Sequence, residues 1–63
     1  MSKTIRYLED ALKCDQEKRY ALAMLNFNAA CQTAITEIPD KAAAIREQAE
    51  LYRHKHFAGT SLA

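Results

Sequence analysis

Two histidines, two cysteines and two pairs of neighbouring carboxylates are the residues on which chemistry could rest in this chain of 63. His54 and His56 lie two apart, and on a helix such residues project about 200° from one another, so they cannot hold one ion together. Cys14 and Cys31 are separated by 17 positions with no His or second Cys beside either, which matches no zinc spacing. Glu9 with Asp10, and Glu47 with Glu50, fall on faces that the apolar pattern leaves to solvent. The only glycine is Gly59, near the end, so no glycine-rich loop can cradle a phosphate. Nucleophilic catalysis needs a thiol or hydroxyl beside a base in a cleft, and three short helices seldom enclose one. The expectation is a protein with no catalytic residues, no cofactor and no metal.

Length and composition narrow the class further. A chain this short forms one domain, and it buries only about 60% of the surface it exposes when unfolded. Hydrophobic residues make up 49% of the chain and charged ones 27%, with one Gly and one Pro, the balance of a folded helical protein. Nine Lys and Arg against eight Asp and Glu leave a formal charge of +1, so no global field favours nucleic acid or an anionic membrane. Nucleic-acid binding through Lys3, Arg6, Arg53 and Lys55 is a second reading, conditional on the two chain ends lying close enough to form one basic edge. The longest apolar run, Tyr20 to Leu25, is far short of a membrane span, and the N-terminus lacks the apolar core of a secretory signal. A cytoplasmic location follows as the expectation, with two free thiols.

These side chains must be placed by helices, because the intervening sequence is rich in Ala, Leu, Glu, Lys, Gln and Arg. The spacing predicts one all-α domain over residues 1–58, with helices at about 4–14, 17–37 and 39–56 and a flexible tail at 59–63. In the first helix Ile5, Leu8 and Leu12 form one apolar row and Tyr7, Ala11 and Cys14 a second. Ser2 or Thr4 can cap its start. Between Lys13 and Arg19 the pattern lapses, and Asp15 can cap a new helix. The competing reading is one unbroken helix over 4–37. Pro39 suits the first position of the third helix, with Asp40 at its positive end. Ala42, Ile45, Ala49 and Tyr52 point inward, and Gly59 is the expected C-cap.

The middle helix carries apolar residues in two directions. Tyr20, Met24, Phe27, Cys31, Ala34 and Ile38 alternate steps of four and three, the mark of a packed seam. Leu22, Leu25 and Ala29 lie roughly 140 to 200° away on the same wheel. Either the first and third helices flank the middle one on both sides, or a second subunit covers the other face. A chain of this size gains from extra burial, so the expectation is a homo-oligomer with Leu22, Leu25 and Ala29 as contact residues.

The order Tyr7, Ala11, Tyr20, Ala23, Phe27, Ala30 resembles one tetratricopeptide unit over about 28 residues. It departs at Lys18, where that family expects a Gly-like turn, and near Ile35, where the expected Pro arrives only at Pro39. The microtubule-interacting-and-trafficking domain has a similar rhythm. Either resemblance implies a helical peptide-binding or oligomerising module. In its length of 63 residues, and in the run Ala-Leu-Lys-Cys-Asp-Gln-Glu-Lys-Arg-Tyr-Ala-Leu-Ala-Met from Ala11 to Met24, the whole chain resembles the small open-reading-frame proteins of the exo-xis region of lambdoid bacteriophages. That resemblance implies a small non-enzymatic phage protein in the host bacterial cytoplasm. It would affect host growth or the lysis/lysogeny decision through contacts with a host or phage protein. It supplies no catalytic residue to carry over.

Overall fold

Ser2 starts the first helix, its side-chain oxygen accepting the Ile5 amide at 3.3 Å, and α1 runs Lys3–Gln16. The structure is a computed structural model that describes residues 2–57; the expected Gly59 cap and the 59–63 tail lie outside the described residues. α1 closes in a Schellman arrangement: the Arg19 amide donates to the Cys14 carbonyl at 2.8 Å and the Lys18 amide to the Asp15 carbonyl at 3.0 Å. The residue at the left-handed position is Lys18, with φ of 62°. The turn rules out a continuous helix over 4–37.

Two details of the sequence reading change here. Asp15 does not cap a second helix; it lies inside α1, and its carboxylate accepts from Tyr52 of the third helix. α2 therefore starts at Tyr20, three residues later than expected, and runs Tyr20–Glu37 without a side-chain cap. The chain then turns through Ile38 alone into α3, Pro39–Phe57. Pro39 takes the first helical position, where its missing N–H costs nothing.

The three helices form an all-α bundle in which α2 packs against both neighbours, while the backbones of α1 and α3 do not meet. Its principal extents are 32 × 22 × 15 Å, a slab in which α2 joins α1 and α3. One core cluster joins Ala11, Met24, Phe27 and Ala49, edged by Leu8, Cys31, Tyr52 and Phe57. The other joins Ala30, Ala34 and Ile45. Ala11, Ala23, Ala30 and Ala34 are completely buried. With only methyl groups between them, helix axes can approach to the short end of the usual ~8–10 Å.

Of the two apolar rows of α1, the one of Tyr7, Ala11 and Cys14 faces inward, and Ile5 and Leu12 of the other do not. Thr4 is fully buried together with Ala11 and Cys14, whereas Ile5 and Leu12 are more than half exposed. The cause is polar: the buried Thr4 hydroxyl is satisfied by Glu37 and Thr33 of α2, which fixes the rotation of α1 about its axis.

Candidate functional site

Several large side chains lie outside a core in which five of the nine buried apolar residues are alanine. Of the leucines at 8, 12, 22, 25 and 51, only Leu8 packs against the core, and Ile5 and Ile35 are exposed as well. Scattered single apolar residues on a surface need no explanation. A face free of charge is different. From Tyr20 to Thr36, seventeen consecutive residues, α2 has no Asp, Glu, Lys, Arg or His.

The seam residues of α2 do face its neighbours: Met24, Phe27 and Ala34 are buried, and Tyr20, Cys31 and Ile38 half-buried. α1 and α3 both settle on that side and on the adjoining Ala23–Ala30 strip. Neither closes over the opposite side. Leu22 is 44% exposed and Leu25 64%, and Ala29 is half-buried beside them. Ala21, Asn28, Gln32 and Thr36 extend the same outer face, all exposed and all uncharged.

The four basic residues do not form one edge. α1 and α2 run antiparallel, since the Lys3 and Thr4 amides donate to Glu37 at the far end of α2. α1 and α3 run the same way, since Tyr52 and His56 reach Asp15. Lys3 and Arg6 therefore lie at one end of the slab, and Arg53 and Lys55 at the other. Twelve helical residues, about 18 Å, separate Lys3 from Asp15. Arg53 is further committed to Glu50 at 2.9 Å, a bond that holds the Glu50 carboxyl below its ordinary range.

His54 and His56 diverge as the helical spacing requires. His54 is exposed, and His56 is stacked on Tyr20 at 4.2 Å between ring centroids and tilted against Tyr52 at 4.5 Å. Among the described residues no three His, Cys, Asp or Glu side chains are grouped to hold a metal ion. Burial pushes the Cys31 thiol up, away from the reactive thiolate. A cleft of about 270 Å³ opens between α1 and α3, where Leu12 and Leu51 stand over Phe27 and Tyr52. Its one carboxylate, Asp15, is occupied by the Tyr52 hydroxyl at 2.9 Å. Burial and that bond keep the Tyr52 phenol protonated well above the ordinary tyrosine range. No described helix is long and apolar enough to cross a membrane.

Sequence reasoning missed the polar lock at the other end. The Glu37 carboxylate accepts from the Ser2 hydroxyl at 2.9 Å, the Lys3 amide at 3.1 Å, and the Thr4 amide and hydroxyl at 2.8 Å each. It thereby caps α1 from the end of α2. Its carboxyl is drawn down to about 2, chiefly by the Thr4 amide. Nothing local announces a cap supplied from more than thirty residues away. The one available signal is that Glu37 is the first charge to end the uncharged run of α2.

No family model matches the chain, and neither the curated proteins nor the solved structures give a match to it.

Proposed function

We propose that this chain is a non-enzymatic helical interaction protein that self-associates through the outer face of α2, with Leu22, Leu25 and Ala29 as its contact residues. One observation carries the reading: an 18-residue helix presents exposed leucines on a face with no charged side chain. A helix face that stays in water normally carries charge, whereas the centre of a protein–protein interface is depleted in it. The resemblance to the small exo-xis proteins of lambdoid phages supports a role as a phage accessory regulator. In that role the assembled protein would contact a host or phage protein and bear on host growth or the lysis/lysogeny decision.

The test is the sedimentation mass of the wild type and of the Leu22→Lys/Leu25→Lys double variant, with helicity checked by circular dichroism. The wild type sediments as an oligomer and the variant as a helical monomer. A wild type that stays monomeric at high concentration, or a variant with unchanged mass and unchanged stability, overturns the proposal.

A further inference from the structure

We draw no further inference here: the strongest candidate, the cleft of about 270 Å³ between α1 and α3 where Leu12 and Leu51 stand over Phe27 and Tyr52, is an unpartnered apolar groove, and nothing in the structure shows what covers it.

Discussion

Glu37 and Thr4 are joined by two hydrogen bonds of 2.8 Å, one from the Thr4 amide and one from its hydroxyl. The last residue of α2 thus supplies the negative charge that α1 lacks, since the first turn of α1 holds no acidic residue. The same Thr4 hydroxyl lies 2.6 Å from that of Thr33, so the cap and the register between the two helices are set by one polar group.

This relationship predicts a particular acid response. A carboxyl whose folded value is drawn down to about 2 adds stability that is fully present above the ordinary Glu range, around 4.5. That contribution is lost as the pH falls from there toward 2. Glu37→Gln should be less stable than wild type at neutral pH, and the gap should narrow as the pH drops through this window. Urea midpoints measured between pH 7 and pH 2 test it; a gap that does not change with pH would mean that the charge is not what caps α1.

Lys18 pays the steric cost of a left-handed backbone, roughly 1–2 kcal/mol for a residue with a β-carbon. Lys18→Gly removes that cost, and the added freedom of the unfolded chain returns part of it. The expected net gain is about 1 kcal/mol, or roughly 4–8 °C in melting temperature for a domain of this size. Lys18→Val should lower the melting temperature. A calorimetric scan in which glycine destabilises would contradict the Schellman turn.

Tyr52 ties α3 to α1 through Asp15, and its phenol is held protonated beyond the usual range. A tyrosine with a raised folded value contributes stability that is complete below about 10, the unfolded value, and is lost as the pH rises through the folded one. Tyr52→Phe should cost about 0.5–1.5 kcal/mol at neutral pH. In alkaline titration followed by tyrosine absorbance, the variant should lack the last-ionising phenol.

The alanine core gives a contrast in sign. Ala30→Leu forces a larger side chain between α1 and α2 and should destabilise by about 1–3 kcal/mol. Leu12→Ala removes a side chain that is 58% exposed and should fall within about 0.5 kcal/mol of wild type. Denaturant unfolding of both variants distinguishes this core from one packed by leucines, in which Leu12→Ala would be the costly change.

The three helices were legible in the sequence because propensity, the Pro39 stop and the lapse at residues 13–19 agreed. The rotation of α1 was not. Periodicity gave two apolar rows, Ile5, Leu8 and Leu12 beside Tyr7, Ala11 and Cys14, without choosing between them, and it cannot know that Glu37 and Thr33 will satisfy Thr4 and turn the second row inward. Asp15 was misplaced for a related reason. A local capping rule assigned its carboxylate to the next helix, whereas a phenol 37 residues away reaches it. The exposure of Leu22 and Leu25 depended on which side of α2 its neighbours chose, and that choice followed from the small residues Ala23, Ala30 and Ala34, which permit close approach.

The order of packing along the chain bears on how the molecule is made. Each helix rests on its neighbour in sequence, and the backbones of α1 and α3 do not meet. Assembly therefore requires little long-range loop closure, and low contact order of this kind goes with folding in microseconds to milliseconds. The α1–α2 hairpin holds its Glu37 lock and Schellman turn within its own residues, so it is expected to form before α3 docks onto it.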